Sequence, residues 1–482
     1  MAFANNPRRI AAAFLAVALT AILVWYGNGL NPWWPLLWFA PLPALLFAPR
    51  SSWWSAAAVA GLGWLLGSLS LEHYLHVLGL PVPARVVIFS IMALVFTAAV
   101  LLFRALLRRG AAWSALLAFP AAWVTCEYIH NLATPDGTAA SLAYSQLKFL
   151  PFLQLASATG PWGMSFLLLL FPAALAIGLH LRTTAPRKAM RIAGAGLGII
   201  AVALIAGAVR LAQPVAGPLV MVGLLASDTP ARSGVLAEGA DTRRLFQDYA
   251  GEAEKLVARG ATVVVLPENL GVIADPRTDD ADAVFQPLAN KSQTIVVAGM
   301  SHVSAAVQHN QARIYQPSAP VLSYDKHHLL PPFELKFQPG KTITTFNHES
   351  GLWGVEICKD MDFTQLSRQY GQAGTGLLLV PGWDFNIDRA WHGHIAIMRG
   401  VESGFSIAHA ARGGLLTVSD DRGRILAETR TDSAPFATLL AQVPAVHHST
   451  IYLKFGDWFA WLAMAILALT VIRLILPTRK AE

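Results

Sequence analysis

The sequence predicts two kinds of fold in one chain: a multi-pass α-helical membrane domain of about eight spans and a water-facing α/β sandwich. Of 482 residues, 55% are hydrophobic and 13% are charged, and this charged share is roughly half that of an ordinary soluble domain. The apolar residues are concentrated before about residue 212 and after residue 450. The stretch between them carries most of the acidic residues and alternates strand and helix patterns. We therefore predict a membrane domain at 1–212, an α/β domain at 213–450, and a final transmembrane helix with a tail at 451–482.

The membrane prediction depends on stretches long enough to cross a hydrocarbon core, which takes about 20 mostly apolar residues. The second stretch is short and interrupted by Pro41 and Pro43, so a re-entrant segment stays open there. The first follows Arg8 and Arg9 but lacks a small-residue cleavage pattern, so we expect a retained helix. The predicted spans lie near 10–26, 33–48, 53–71, 86–103, 111–130, 160–181, 192–211 and 452–472.

The positions of Lys and Arg predict the orientation, because these residues accumulate in short cytoplasmic loops. Cations precede span one and follow spans two, four, six and eight, whereas loops of the opposite parity carry few. This pattern places both termini in the cytoplasm and residues 213–450 outside it. The net charge of +7 is then explained by membrane-flanking anchors, and we expect no nucleic-acid partner.

The outer domain begins with an apolar strand and an amphipathic helix, and further β-branched apolar runs follow. One run, Thr262–Leu266, ends in Pro-Glu-Asn and so places Glu268 at the carboxyl end of a strand, where ligands bind to open sheets. The remaining predicted elements are strands at 219–225, 294–299, 351–357, 376–380, 405–410 and 415–419 and a helix at 241–259.

The two cysteines differ in their surroundings. Cys126 lies inside a predicted span and Cys358 lies in the outer domain, so a disulfide between them is geometrically disfavoured. An unpaired cysteine in an oxidising compartment therefore needs another explanation, and nucleophilic catalysis supplies one.

Three reactive side chains follow predicted strands or turns: Glu268 in VLPEN, Lys326 in YDKHHLLP and Cys358 in VEICKDMDF. Taken singly, each has an ordinary structural explanation, because Glu caps helices, Lys is usually solvated and Cys often fills a core. Taken together they supply a thiol nucleophile, a base for its proton and a cation for the developing oxyanion.

These motifs resemble the carbon–nitrogen hydrolase (nitrilase-like) superfamily, whose members use a Glu-Lys-Cys triad in an αββα sandwich. The resemblance is closest to its membrane branch, the apolipoprotein N-acyltransferase family of bacteria, and extends over nearly the whole chain. It includes the segments SLAYSQ at 141–146 and GPWGMSF at 160–166.

The resemblance implies a role for each triad residue: Glu268 as general base, Lys326 as oxyanion-stabilising cation and Cys358 as the nucleophile that carries an acyl group as a thioester. Supporting active-site roles are implied for three more residues. Glu334 would be a second acid, the backbone N–H of Lys359 would belong to the oxyanion hole, and Asp360 would be a carboxylate beside it. The pair Arg399 and Glu402 matches a charged pair of the family, and we interpret it as structural.

The implied activity is transfer of a fatty acyl chain from a phospholipid to the N-terminal amine of diacylglyceryl-cysteine lipoproteins, in the bacterial inner membrane with the catalytic domain in the periplasm. The residues after Lys326 and Cys358 differ from the family's usual ones, so an amidase or an acyltransferase with a different amine acceptor is an alternative. A membrane scaffold without catalysis is a second one.

No cofactor motif is present, and the chemistry requires none. Neighbouring histidines, such as His327 and His328, do not predict a metal centre, because adjacent side chains point apart and no ligand cluster has metal spacing around them.

Overall fold

The computed structural model describes residues 7–214, 217–229, 239–275 and 279–476. They form two compact units. The first comprises the described parts of Met1–Thr134, Ala140–Ala212 and Asp457–Glu482 and is helical. The second comprises Pro135–Ala139 and the described parts of Gln213–Gly456.

The helical unit consists of long apolar helices joined by short ones. Two of its helices begin at a start signal in the sequence: Ser52 accepts a hydrogen bond from the Ser55 N–H at 3.1 Å, and Pro83 occupies the first turn of Val82–Arg108. The helices are α1 (Pro7–Gly27), α2 (Trp34–Leu37), α3 (Leu42–Phe47), α4 (Trp53–Ser68), α5 (Glu72–Val77), α6 (Val82–Arg108), α7 (Ala112–Ala133), α8 (Leu150–Leu153), α9 (Ala156–Leu181) and α10 (Pro186–Ala212), with a final helix at Trp458–Ile475.

Six of the described helices are long and apolar enough to cross a membrane, so the predicted count of about eight spans is not confirmed. The predicted second span consists of α2 and α3, between which the chain turns beside Pro41. With four and six residues, neither helix is long enough to cross a bilayer. The predicted fifth span corresponds to α7, which has 22 residues but carries polar side chains such as Glu127 and Asn131. The final helix begins at Trp458 rather than at 452, because Gly456 ends a preceding short helix with a positive φ.

The second unit is an α/β sandwich, as predicted. Seven strands form one sheet, in the order β13-β1-β2-β4-β5-β6 with β3 beside β4, and six form the other, in the order β12-β11-β10-β9-β8-β7. The strands are β1 (Leu219–Ala226), β2 (Val263–Val265), β3 (Val272–Ala274), β4 (Ile295–Val303), β5 (Gln308–Tyr315), β6 (Leu322–Asp325), β7 (Thr344–His348), β8 (Gly351–Val355), β9 (Thr375–Trp383), β10 (Ser406–Arg412), β11 (Leu415–Ser419), β12 (Ile425–Arg430) and β13 (Ala437–Pro444).

Helices cover both outer faces of the two sheets. They are α11 (Ala240–Ala258), α12 (Asp279–Ser292), α13 (Thr364–Ala373) and α14 (Trp391–Ser403). The short helix α15 (Ile451–Phe455) and, in the helical unit, α16 (Trp458–Ile475) come after them in the chain. The two sheets bury a shared apolar layer that includes Val265, Leu379 and Ala410. A second layer, with Phe246 and Phe285, lies between the first sheet and helices α11 and α12. Strands flanked by apolar residues on both faces explain the near-continuous hydrophobic runs seen in the sequence.

The parallel strands position the candidate site. In one sheet β1, β2 and β4 run parallel, and in the other β8, β9 and β10 do. The carboxyl ends of β2 and β8 lead directly to Glu268 and Cys358, and the loop after each strand is free to carry reactive groups.

Candidate active site

Glu268 is held by backbone contacts on both sides. Its N–H donates to the Gly382 carbonyl at 3.2 Å, which joins the end of β2 to β9 in the opposite sheet. A Cβ at position 299 would lie 2.5 Å from the Glu268 Cα, so only glycine leaves the room that this turn occupies. The residue is 2% exposed.

Lys326 follows β6 and lies between two carboxylates. Its Nζ is 2.8 Å from Glu268 Oε1 and 2.9 Å from Glu334 Oε2. All three side chains are buried. The structure therefore brings together two predicted triad residues and the predicted additional acid, with Lys326 as the shared donor.

Asn310, which the sequence analysis missed, completes this group. Its Nδ2 donates to one oxygen of Glu268 and one of Glu334, and its backbone carbonyl accepts from the Lys326 N–H at 2.8 Å. Asn310 lies on β5, whose polar sequence gives no strand signal. No local feature of the sequence marks it as a site residue.

Cys358 begins the 3-10 turn after β8, with φ of +43°. A positive φ is rare outside glycine and turns the side chain sharply out of the strand direction. The Sγ lies 3.7 Å from the Trp383 carbonyl oxygen. Cys358 and Cys126 are both free, in agreement with the prediction that they form no disulfide.

Burial and neighbouring charges set the protonation of these groups. Burial raises the pKa of Cys358 well above its ordinary value, the Glu268 charge raises it further, and Lys326 opposes both. Burial also raises the pKa of Glu268, with Lys326 lowering it and Glu334 raising it. For Lys326, burial alone lowers the pKa, but Glu268, Glu334 and Cys358 raise it well above the usual value. The arrangement favours a neutral thiol beside a lysine that stays charged.

Asp360 joins the segments that carry the reacting groups. Its fully buried carboxylate accepts hydrogen bonds from the Tyr324 hydroxyl at 2.7 Å and from the backbone N–H groups of His327, His328 and Ile357. The loop after β6 is thereby fastened to the turn after β8.

Lys359 and Asp362 hold the turn from its other side. Lys359 Nζ is 3.6 Å from Asp362 Oδ2 and 3.8 Å from Asp136 Oδ1. The Asp362 carbonyl accepts from the Thr138 N–H at 2.9 Å and from its hydroxyl at 2.7 Å. The Lys359 side chain therefore braces the turn, and its predicted oxyanion-hole role concerns its backbone N–H alone.

A second polar cluster follows β9 and was not predicted. His392 lies 3.4 Å from Asp388 and 3.7 Å from Asp362. Burial alone lowers the pKa of His392, yet hydrogen bonds to Asp362 and Asp388 raise it well above the usual value. Burial, together with the Asp388 charge, raises the pKa of Asp384 well above the usual value. The Gly-Trp-Asp sequence at 382–384, just beyond the predicted strand 376–380, is a local signal that could have indicated this cluster.

The pair interpreted as structural forms an internal contact. Arg399 Nη2 donates to Glu402 Oε1 at 3.0 Å on α14, and both side chains are fully buried.

Comparison with known proteins agrees with this fold. Residues 235–448 match the carbon–nitrogen hydrolase family, and residues 11–174 match the apolipoprotein N-acyltransferase N-terminal domain. The second unit is thus a carbon–nitrogen hydrolase domain in a chain with an apolar helical domain. With both domains in this order, the chain belongs to the apolipoprotein N-acyltransferase family.

Similar proteins cover most of the chain. An apolipoprotein N-acyltransferase of Geobacter metallireducens is 28% identical over 75% of this chain and 74% of its own length. One of Shewanella oneidensis is 26% identical over 91% of this chain and 87% of its own. Among solved structures, an amidase from Nesterenkonia aligns with 51% of this chain and 95% of its own at 20% identity, with a TM-score of 0.42.

Proposed function

We propose that this protein transfers a fatty acyl chain from a membrane phospholipid to the N-terminal amine of diacylglyceryl-cysteine lipoproteins, through a thioester on Cys358. The observation that carries the proposal is the buried contact of Lys326 with Glu268 and Glu334, in the domain that places a free thiol at the end of β8. The family membership and the apolar helices support a lipid substrate and a bacterial inner membrane.

In the first half-reaction Glu268 takes the thiol proton as Sγ attacks the ester carbonyl of the phospholipid. The resulting oxyanion is stabilised by Lys326 Nζ and by the backbone N–H of Lys359. The tetrahedral intermediate then expels the lysophospholipid alkoxide, which takes the proton from Glu268. The products are an acyl-thioester and a neutral lysophospholipid alcohol.

In the second half-reaction the acceptor amine attacks the thioester carbonyl and the same two donors stabilise the oxyanion. Glu268 accepts a proton from the attacking nitrogen, and the departing thiolate recovers a proton from Glu268. The amide forms, the thiol is restored, and kinetics of the ping-pong type follow.

The topology is part of the proposal. The distribution of Lys and Arg supports cytoplasmic termini and a periplasmic catalytic domain. The proposal also includes the domain division at 1–212, 213–450 and 451–482. It assigns catalytic roles to Glu268, Lys326 and Cys358 and supporting roles to Glu334, Lys359 and Asp360.

An alternative is an amidase, or an acyltransferase for another amine, with the same reacting groups. Leu335, which is 73% exposed, and Lys336 follow the additional acid, in the segment where this chain departs from the family's usual sequence. A non-catalytic scaffold is disfavoured, because burying Lys326 against two carboxylates costs desolvation energy that packing alone does not require.

The intact mass of the full-length protein after incubation with phospholipid tests the proposal. We expect the wild type to gain one fatty acyl mass that hydroxylamine removes, and Cys358→Ala to gain none. Cys126→Ala is the matched control, because it removes the other free thiol and should acylate as the wild type does. Absence of any adduct with bilayer phospholipids would exclude acyl transfer and favour the amidase alternative.

A further inference from the structure

The guanidinium of Arg412 is buried and makes no hydrogen bond to any residue that the structure describes. The side chain is 0% exposed, and its Nε, Nη1 and Nη2 have no hydrogen-bond or ion-pair partner among the residues that the structure describes. Buried polar groups are nearly always satisfied, and an unpaired buried charge is among the costliest features of a fold. By contrast, the buried Arg422 donates to Asp421 at 3.2 Å. Within the described part of the chain, the Arg412 donors are therefore unused.

The guanidinium lies at the same end of the sandwich as the reacting groups. Arg412 is the last residue of β10. It lies on the same face of the strand as Ala408 and Ala410, which belong to the apolar layer between the sheets. Its Cζ lies 3.6 Å from the centre of the Trp383 ring, and the carbonyl of that same tryptophan is the neighbour of Cys358 Sγ.

Electrostatic contact agrees with this placement. Burial lowers the pKa of Arg412 to about 10, while the neighbouring Tyr249, Glu268 and Asp228 oppose the decrease. The guanidinium therefore remains protonated at neutral pH, within electrostatic range of the predicted base.

The chemistry of the unused donors indicates an oxyanion ligand. A guanidinium presents a planar fork of N–H groups that matches phosphate oxygens two at a time. Arg412 Cζ lies over the Trp383 ring, and Trp383 is 38% exposed, so the residue against the guanidinium is open to solvent. In a phospholipid only the glycerol carbons separate the phosphate from the acyl esters.

We propose that Arg412 binds the phosphodiester of the acyl donor while its ester reacts at Cys358. This inference rests on the proposed function and adds the group by which a phospholipid is distinguished from other esters.

The test compares two acyl donors on the full-length protein in detergent micelles. Dipalmitoylphosphatidylglycerol carries the phosphodiester, and p-nitrophenyl palmitate carries the same acyl group without it. The measurement is the rate of acyl-thioester formation by intact mass, for the wild type and for Arg412→Gln. In Arg412→Gln we expect the rate with the phospholipid to fall about tenfold or more, which is the size of effect associated with losing a charge-assisted hydrogen bond. The rate with the p-nitrophenyl ester should change by less than about twofold.

Arg422→Gln is the matched control, because it removes a buried guanidinium that already has a carboxylate partner. It should alter both donor rates by the same factor. Equal loss from both donors in Arg412→Gln, or loss from neither, would overturn phosphate binding and leave acyl transfer standing. A wild type that forms no adduct with either donor would overturn acyl transfer and this inference together.

Discussion

Asp360 accepts a hydrogen bond from the backbone N–H of His328 at 2.7 Å, and this contact joins the segment that carries the predicted lysine to the turn that carries the predicted nucleophile. The same carboxylate also receives the Tyr324 hydroxyl at 2.7 Å. Its oxygens therefore fix the spacing of two loops whose own sequences are polar and irregular.

Asp360→Asn is expected to lower both stability and the rate of thioester formation. The amide keeps the shape but offers one acceptor oxygen, so buried N–H groups lose a partner, at about 1–3 kcal/mol each. We expect a lower melting temperature and, well below it, a thioester rate reduced about tenfold. Asp275→Asn, at a half-exposed carboxylate, should change neither. An unchanged rate in Asp360→Asn would contradict the positioning role.

Glu334→Gln is expected to move the acid limb of the pH–rate profile to lower pH. Glu268 acts as a base only when ionised, so the rate falls as pH decreases through its raised pKa. The Glu334 charge contributes to that rise, so its removal moves the limb to lower pH. The profile of thioester formation measures this shift, with the exposed Glu349→Gln as a charge-matched control that should leave it in place.

Lys326→Met is expected to move the same limb in the opposite direction. Lys326 lowers the pKa of Glu268, so its removal leaves a base that is protonated at higher pH. Two buried carboxylates also lose their shared cation, and we expect about 3–5 kcal/mol of stability to be lost. Lys291→Met, on an exposed surface pair, should cost less than about 1 kcal/mol. A limb that stays in place or moves down would contradict the assignment of Glu268 as the base.

Gly299→Ala is expected to impair catalysis by moving the base. The added Cβ would lie 2.5 Å from the Glu268 Cα and 2.6 Å from the Pro267 carbonyl oxygen, both of them backbone atoms that cannot rotate away. We expect a rate of thioester formation at least about tenfold lower. Gly251→Ala, in helix α11 with nothing within 4 Å of the added carbon, should be active and slightly more stable. Normal activity in Gly299→Ala would show that Glu268 tolerates displacement.

The sequence predicted the central parallel strands because their residues are apolar on both faces. Thr262–Leu266 is a β-branched apolar run, and Gly351–Ile357 is mostly apolar but contains Glu356. The structure confirms strands at both places, at Val263–Val265 and Gly351–Val355. The predicted site residues Glu268 and Cys358 lie just after these two strands. The contact between Lys326 and Glu268 joins residues far apart in the chain, and the resemblance to a known family implied it where local patterns did not.

The missed parts have physical reasons. Gln308–Tyr315 is a strand with buried Asn310 and Gln311, whose polar side chains hide the strand pattern because they are satisfied by partners distant in sequence. Arg412 lies two residues beyond the predicted end of its strand at Ala410. Prolines broke the apolar run that was interpreted as the second span, and a hydropathy pattern does not distinguish one crossing helix from the two short ones found there.

Pro135–Ala139 belongs to a different structural unit from the residues before and after it in the sequence. These five residues lie in sequence between helix α7 and the rest of the helical unit, yet they belong to the α/β unit, where Thr138 binds the Asp362 carbonyl and Asp136 faces Lys359. The α/β unit therefore cannot be separated from the N-terminal region without losing part of itself. A fragment that starts at Gln213 would lack Pro135–Ala139, which contact the turn that carries the nucleophile. Exchanging the N-terminal regions of two relatives would exchange these five residues as well.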